Sequence, residues 1–341
     1  MRDFLIRQAK LFFSSSSFGG FIFKKITGLP VYRELVSKRI FRQIVSDKQG
    51  LFNLIIENAN LCNASCLMCP YRIMKRAKKI MDSEIFEKII ERVKQEKLAI
   101  NKIFLSGMGE PLTDPQFVGR VEKLKKLGFP LRVYTNASLL TKKISEKLIL
   151  LGPEEVNISF NGADAKEYHR IMGLNFDRTM KNIDYLIKIR KKSGRRLPWL
   201  QVSLIVLDEN SRGLRKYLAD WRKKVDSVTV SIPHQWGGGI KEISNLKGQR
   251  SNIVYPCRAL WHTFMIDSSG NFVICCRDYE SKFILGNVRT HSFEQIRKSK
   301  ILKSFQDASL KYRQDCLPEI CKQCNFPYQG GVDWFLPRSL D

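Results

Sequence analysis

The chain is 341 residues long, 43% hydrophobic, and carries a formal net charge of +26. Such a chain can bury one large core, or one medium core with a smaller appendage, so disorder is not the default expectation. Its nine cysteines form an odd count with long stretches between them, which argues against a secreted disulfide framework and favours metal ligation in a reducing cytoplasm.

Residues 1–50 form a basic, amphipathic N-terminal extension. Its apolar residues are interrupted by Lys10, by a run of serines and by Gly19 and Gly20. No stretch is long enough to span a bilayer, and no convincing small-residue cleavage site follows. We expect the extension to lie on the core, on a partner or on a membrane surface, in that order of preference. In the last case the cytoplasmic protein would be peripheral at the membrane.

The positive charge is concentrated in residues 72–79, 188–196 and 212–224. Such a field attracts anions, including phosphorylated substrates, anionic lipid and nucleic acid. No recognised nucleic-acid-binding signature accompanies these clusters. A solvated basic surface is therefore favoured, and nucleic acid is not an expected partner.

From Phe52 onward, short apolar runs alternate with longer amphipathic segments. The pairs are 54–57 with 83–94, 102–106 with 116–127, 131–135 with 142–150, 155–160 with 177–190, and 200–207 with 214–223, followed by 227–232. These six βα-type repeats predict an α/β fold with a parallel sheet flanked by helices. Ligands collect where the strands of such a sheet end. Residues 62–69, 107–111, 135–136 and 159–161 should therefore share one rim.

The composition of the sequence changes after residue 235. Residues 236–250 contain several glycines and are typical of a linker. Beyond them, residues 263–267 and 271–276 predict two short strands joined by a Ser268-Ser269-Gly270 hairpin turn. We therefore expect a core over 51–235, a small cysteine-rich module over 251–330 and a tail over 331–341.

Cys62, Cys66 and Cys69 lie within one short loop after the first predicted strand. Three soft thiolates at this spacing can bind three corners of one cubane iron–sulfur cluster and leave the fourth iron without a cysteine. The alternative is a zinc site, which usually has four ligands in two separated pairs. Because the loop offers an odd trio and no histidine, the cluster is the favoured interpretation.

This loop resembles the signature of radical S-adenosylmethionine (radical SAM) enzymes, and further motifs follow in the order of that family. The segment 106–111 (SGMGEP) resembles the glycine-rich motif whose backbone meets the SAM amino group, with Met108 in place of its first glycine. Thr135-Asn136 resembles the strand-three motif, with Ala137 replacing a glycine. The segment 159–162 (SFNG) resembles the strand-four motif, with Asn161 replacing an acid.

The resemblance also implies which residues bind SAM. Arg170 lies near the place where family members often pair an arginine with the methionine carboxylate, although the local match is offset. An amide or hydroxyl at the end of strand four would hydrogen-bond the ribose; the alternative is a strand-end turn that uses Asn and Gly, and the two are not exclusive. The implied SAM-binding set is Gly107, Met108, Gly109, Glu110, Asn136, Ser159, Asn161 and Arg170.

The second cysteine set resembles the twitch form of the SPASM extension. The resemblance implies one auxiliary [4Fe–4S] cluster held by Cys257, Cys275, Cys321 and Cys324. A structural zinc ion is the rival interpretation, since four thiolates in a closed tetrahedron suit zinc equally well. In addition, His234-Gln235-Trp236-Gly237 is similar to a segment found near this junction in several SPASM proteins. It is either substrate-facing or a linker with the tryptophan packed into the core.

Cys276 and Cys316 remain outside both sets. One hypothesis is that either thiol donates a hydrogen atom to a substrate radical, which would make it catalytic. The favoured alternative is a small buried hydrophobe or a substitute ligand.

The resemblance as a whole implies a partial (β/α)6 TIM-like barrel followed by a C-terminal twitch/SPASM-type module. In the implied mechanism, a [4Fe–4S] cluster reductively cleaves SAM to a 5′-deoxyadenosyl radical, which abstracts hydrogen from a substrate. The expected function is oxidation or epimerisation of a sugar-like or other small polar metabolite, with a flavodoxin- or ferredoxin-type reductant. Peptide modification is the second alternative. Alternatives from other classes are a non-catalytic zinc-binding module that contacts nucleic acid or membrane, and an iron–sulfur electron carrier.

Overall fold

The computed structural model describes residues 51–240, 257–311 and 313–324. The predicted N-terminal extension, most of the predicted linker and the C-terminal tail lie outside these residues, so the membrane contact stays a prediction. No helix of the described residues has the length and apolar character needed to cross a membrane.

Six parallel strands form the larger part of one sheet, and they follow one another in the sheet in chain order. They are β1 (Phe52–Ile56), β2 (Ile100–Leu105), β3 (Leu131–Thr135), β4 (Glu155–Ser159), β5 (Trp199–Ile205) and β6 (Ser227–Ser231). The intervening helices are α1 (Ser83–Gln95), α2 (Phe117–Lys125), α3 (Lys142–Leu151), α4 (Ala165–Met172), α5 (Phe176–Ser193) and α6 (Leu214–Arg222). Right-handed crossovers that always step in one direction place every helix on the same face, which confirms the predicted partial barrel.

The face of the sheet toward the helices is apolar. Alternate positions of successive strands, such as Leu54, Ile103 and Val133, are fully buried. Helix α1 contributes buried residues spaced three and four apart to the same core, including Phe86 and Ile89. Burial of each such side chain stabilises the fold by roughly 1.5–3 kcal/mol.

The opposite face of the same strands, here called the inner face, is polar. Its polar side chains include Lys102, Arg132, Glu155, Asn157, Gln201, Ser203 and Thr229, and Ile55, Phe104 and Tyr134 lie on the same face. The register pairs Arg132 with Glu155, and Ser203 with Thr229, so these side chains form one continuous band across the strands. Glu155 and Asn157 are buried, and the other members are half-buried.

The C-terminal part of the chain extends the same sheet. Strand β7 (Thr263–Ile266) pairs in parallel with β1, and β8 (Asn271–Val273) and β9 (Ile284–Asn287) follow in antiparallel order. The predicted hairpin around Ser268-Ser269-Gly270 is thus confirmed, and its first strand continues the barrel sheet. The remaining helices are α7 (Ala259–His262), α8 (Phe293–Lys298), α9 (Lys300–Leu310) and α10 (Glu319–Lys322).

Candidate active site

The loop that carries Cys62, Cys66 and Cys69 is fastened to the end of helix α4. The backbone N–H of Ser65 donates to the carbonyl of Met172 (3.0 Å), and that of Leu67 donates to the carbonyl of Ile171 (2.9 Å). The last carbonyls of a helix have no partner within the helix. The loop supplies donors for two of them and is thereby held in one place.

Two aromatic side chains hold the loop from other sides. The hydroxyl of Tyr71 accepts a hydrogen bond from the N–H of Cys62 (3.0 Å), and the indole N–H of Trp236 donates to the carbonyl of Met68 (2.9 Å). Trp236 also packs against the hydrophobic core. The structure therefore supports a packing role for this tryptophan.

The three thiols of the loop lie in one electrostatic neighbourhood. Burial raises the pKa of Cys62 to about 12 and also raises the pKa of Cys66 and of Cys69. Negative charge on Cys62 or Cys69 raises the pKa of Cys66 further. A group of buried thiols becomes thiolates only beside compensating positive charge, such as that of a metal centre.

The glycine-rich segment after β2 runs directly against the chain that leads into this loop. A Cβ atom added to Gly109 would lie 2.8 Å from the carbonyl carbon of Asn60, and closer still to the carbonyl oxygens of Ala59 and Leu61. The N–H of Glu110 donates to the carbonyl of Leu61 (2.7 Å). Only glycine permits this approach of two backbones.

A buried ion pair joins several parts of the site. The carboxylate of Glu57 is fully buried and accepts from both terminal nitrogens of Arg76 (2.7 Å each). It also accepts from the backbone N–H of Met108 (2.8 Å) and of Ser268 (3.1 Å). Arg76 in turn donates from Nε to the carbonyl of Tyr279 (2.6 Å). One side chain, Glu57, thus connects β1, the glycine-rich segment and the C-terminal module.

Glu110 uses both of its carboxylate oxygens within the protein. Oε1 accepts from the hydroxyl of Thr135 (2.6 Å) and the N–H of Leu112 (3.2 Å), and Oε2 accepts from the N–H of Asn136 (2.6 Å). Burial raises the pKa of Glu110 to about 7, against the opposing effect of these hydrogen bonds. The side chain therefore joins the ends of β2 and β3.

Asn136 connects the end of β3 to the cysteine loop. Its amide nitrogen donates to Oδ1 of Asn63 (3.0 Å), and the amide nitrogen of Asn63 donates to the hydroxyl of Ser138 (2.7 Å). That hydroxyl donates in turn to Oδ1 of Asn136 (2.7 Å). Sequence reasoning missed Asn63 and Ser138, although a polar residue next to Cys62 in an otherwise small-residue loop was an available signal.

The remaining predicted SAM-binding residues lie at the end of β4 or after it. Ser159 lies at the carboxyl end of β4. Oδ1 of Asn161 accepts from the N–H of Ile205 (2.7 Å), so this oxygen connects the ends of β4 and β5. The side chain of Arg170 is 67% exposed and pairs with Glu209 (3.6 Å). Its role in binding a carboxylate stays a prediction.

The second cysteine set also converges. Cys257, Cys275 and Cys321 pack around Leu260, Ile274 and Leu302. Charge on Cys324 raises the pKa of Cys257 and of Cys321, so its thiol lies in the same neighbourhood. Burial is the main cause of both shifts and brings the pKa of Cys257 to about 11.

The two leftover cysteines occupy different surroundings. Cys276 is half-buried, and its Sγ lies 3.9 Å from the guanidinium of Arg277. Cys316 is exposed and contacts Arg313 (2.8 Å) and Asp315 (3.3 Å). Only Cys276 of the two is therefore shielded from solvent.

Comparison with known families agrees with this arrangement. Residues 57–207 match the model of the radical SAM superfamily, and residues 257–325 match that of an iron–sulfur cluster-binding domain, SPASM. The chain contains a radical SAM domain followed by a SPASM domain. The two matched ranges contain the first and the second cysteine set, respectively.

Individual radical SAM relatives cover the chain to different extents. The tungsten-containing aldehyde ferredoxin oxidoreductase cofactor-modifying protein of Pyrococcus furiosus is 30% identical over 52% of this chain, which spans only about half (50%) of that relative. The S-adenosyl-L-methionine-dependent 2-deoxy-scyllo-inosamine dehydrogenase of Niallia circulans is 24% identical over 81% of this chain and 93% of its own length. The structure of Streptococcus suis SuiB bound to precursor peptide SuiA shares the fold, with a TM-score of 0.60, 16% identity, and coverage of 77% of this chain and 70% of SuiB.

The radical SAM domain implies a SAM-binding [4Fe–4S] cluster, and the SPASM domain implies auxiliary iron–sulfur ligation. The donor sets fit these groups, because three thiols converge in the first loop and four in the second site. No three His, Cys, Asp or Glu side chains among the described residues are close enough for a single metal ion. A cluster holds each thiolate on a different iron and so spaces its ligands more widely. Neither family match supports the non-catalytic zinc-binding alternative.

Proposed function

We propose that this protein is a radical SAM oxidoreductase that dehydrogenates a hydroxyl-bearing, sugar-like metabolite. The observation that carries this proposal is the polar inner face of the barrel sheet. Strands buried on both faces in α/β proteins are usually apolar on both. Here one face is apolar beneath the helices, whereas the other presents amides, hydroxyls and charges.

The inner face offers the groups that bind a polyol. The hydroxyl of Ser203 donates to Oδ1 of Asn157 (2.8 Å), and the amide of Gln201 donates to the hydroxyl of Thr229. Small-molecule sites use a few such convergent groups to orient the ligand. Similarity over most of its length to a dehydrogenase named for 2-deoxy-scyllo-inosamine supports the same substrate class.

The cofactors and the polypeptide have separate tasks in this proposal. Cys62, Cys66 and Cys69 would hold the SAM-binding cluster, and Cys257, Cys275, Cys321 and Cys324 the auxiliary one. When bound, the clusters and SAM supply an electron, a hydrogen-abstracting 5′-deoxyadenosyl radical and an acceptor for the electron that leaves the substrate. The chain itself binds and orients the substrate and excludes water.

Glu155 is the candidate proton acceptor of the inner face. Oxidation of an alcohol to a carbonyl releases the hydroxyl proton as well as the carbon-bound hydrogen. Burial raises the pKa of Glu155, although Arg132 pairs with its Oε2 (2.6 Å) and opposes the shift. A carboxylate with a raised pKa is a better base near neutral pH than an exposed one.

The proposal is tested with the full chain reconstituted anaerobically with iron and sulfide. Incubation with SAM, dithionite and a panel of aminocyclitols and hexoses deuterated at carbon should transfer deuterium into 5′-deoxyadenosine, with an equal amount of carbonyl product. Glu155→Gln should lower carbonyl formation at least about tenfold, within the range of effects of a general base. Glu122→Gln, which changes an exposed carboxylate on α2, should not.

Other outcomes would identify the alternatives. Replacement of the substrate's deuterium by solvent hydrogen, without a carbonyl product, would indicate epimerisation. Deuterium transfer from peptides alone would indicate peptide modification. Zinc without acid-labile sulfide, together with no SAM cleavage, would contradict the enzymatic proposal as a whole. A flavodoxin- or ferredoxin-type protein is the reductant we expect to replace dithionite.

A further inference from the structure

Arg277 brings a positive charge into the auxiliary site. It follows Cys275 by two residues, in the turn that comes after strand β8. Its Nη1 lies 3.9 Å from Sγ of Cys276, and its Nη2 lies 3.3 Å from Nε2 of His234. The side chain is therefore held between Cys276, the neighbour of Cys275 in the chain, and the segment after β6.

The Arg277 guanidinium is surrounded by cysteines that become negatively charged when they are thiolates. Burial lowers the pKa of Arg277, but charge on the thiols of Cys276, Cys324, Cys275 and Cys257 raises it more, and the net shift is upward. Arginine remains protonated in any such setting. A permanent cation therefore lies within electrostatic range of the cysteines that would hold the auxiliary cluster.

His234 fixes the direction of this cation. A guanidinium has donors only, so the ring nitrogen that faces it must be an acceptor, and the proton of a neutral His234 is on Nδ1. The His234 ring lies 6.3 Å from that of Trp236. Because Trp236 donates to the carbonyl of Met68 in the first cysteine loop (2.9 Å), a short series of contacts connects the two cysteine sites through Arg277.

We propose that Arg277 raises the reduction potential of the auxiliary cluster. A cluster ligated by four thiolates is negatively charged, and reduction adds one more negative charge. A nearby buried cation stabilises the reduced form more than the oxidised form, and net charge is one of the factors that set such potentials. A raised potential makes the cluster an acceptor for an electron that leaves a substrate radical. Only the role as electron acceptor rests on the proposed function. The reduction potential itself can be measured without any substrate.

The test measures the midpoint potential of the auxiliary cluster without substrate. Cys62, Cys66 and Cys69 are replaced by alanine in the full chain, so that only the second cysteine set is loaded and followed by electron paramagnetic resonance. We expect Arg277→Gln to lower the potential by at least about 59 mV, a tenfold change in the equilibrium constant for one-electron reduction. Arg277→Lys keeps the charge and should lower it by less than half as much. Arg297→Gln removes an exposed cation on α8 and should leave it unchanged.

Three results would overturn the proposal. The first is an Arg277→Gln potential equal to that of the parent. The second is an equal shift in Arg277→Lys, which would assign the effect to packing rather than charge. Arg277→Met has a similar volume but no hydrogen-bond donor, and it replaces Arg277→Gln if the glutamine variant does not bind the cluster. The third result is that neither neutral variant holds iron, which would show that Arg277 is needed for cluster assembly. None of these results would exclude the dehydrogenation, which is measured separately through its carbonyl product.

Discussion

Replacement of Gly109 by alanine tests whether the contact between two backbones holds the candidate SAM site together. The added Cβ would lie 2.8 Å from the carbonyl carbon of Asn60, whereas ordinary contacts begin near 3.4 Å. The segments must therefore separate by at least about 0.6 Å, and such overpacking costs roughly 1–3 kcal/mol. The hydrogen bond from Glu110 to Leu61 would weaken as well, at a cost of about 1 kcal/mol.

We therefore expect Gly109→Ala to lower the free energy of unfolding by about 2–4 kcal/mol. Urea unfolding of the metal-free chain measures this quantity, and calorimetric titration of the reconstituted protein measures the accompanying loss of SAM affinity. The matched control is Gly119→Ala. Gly119 lies inside helix α2, and its added Cβ would meet nothing within 4 Å. This change should stabilise the protein by about 0.5–1 kcal/mol, because alanine favours the helix.

Equal effects of the two substitutions would refute the reasoning about the close approach. If Gly109→Ala unfolded at the same urea concentration as the wild type but lost SAM affinity, the predicted loss of stability would also be refuted. That result would place the alanine methyl in the path of SAM rather than against the cysteine loop.

Three further predictions concern buried groups. Arg76→Met should lower the free energy of unfolding by about 3–5 kcal/mol, because it leaves the Glu57 carboxylate buried without its counter-charge. In urea unfolding, the double variant with Glu57→Gln should recover part of that loss. With a pKa of about 7 against 4.5 when unfolded, Glu110 keeps its proton in the folded state where the unfolded carboxyl loses it. Stability should therefore fall by about 3 kcal/mol as pH rises from 4.5 through 7, and Glu110→Gln should abolish this slope in urea midpoints. Cys276→Ala and Cys316→Ala should each leave carbonyl formation within about twofold of wild type, as expected when neither thiol donates hydrogen to the substrate; Cys316 is exposed and so is not the buried hydrophobe that the sequence suggested.

Each of these predictions has a result that contradicts it. Strict additivity of the Glu57 and Arg76 substitutions would show that the pair is not energetically coupled. The pH slope should persist in Glu122→Gln, because that carboxylate is exposed, and a slope unchanged by Glu110→Gln would assign it to another group. Loss of product in a chain that lacks only Cys276, with SAM cleavage retained, would support the hydrogen-donor hypothesis instead.

The barrel was predictable because its signals are local. Each of the six strands was expected from a short apolar run, and the observed bounds differ by one or two residues at most places. Helix α4, by contrast, was missed, since it has eight residues and lies directly before the longer helix α5. The parallel pairing of β7 with β1 joins residues more than 200 positions apart, and no local pattern indicates such a partner.

The candidate site was predictable in its cysteines but not in the contacts that hold them. The spacing of Cys62, Cys66 and Cys69 is visible in the sequence, whereas the bond from Trp236 to Met68 depends on the tertiary fold. Glu57 sits at the end of an apolar run and shows no sign of its four hydrogen bonds. The polar inner face did have a signal, because Arg132 and Tyr134 alternate with apolar residues in β3, as expected when only one face is buried.

The pairing of β7 with β1 also limits how this protein can be re-engineered. An exchange of the C-terminal module for that of a relative would have to replace a strand that shares its backbone hydrogen bonds with the first strand of the barrel. A truncation before Thr263 would turn β1 from an interior strand into an exposed edge, which invites pairing with other chains and aggregation. The barrel and the C-terminal module of this protein therefore cannot be exchanged independently of each other. Grafts that keep residues 263–266 and change only the residues beyond position 266 should therefore avoid exposing this edge.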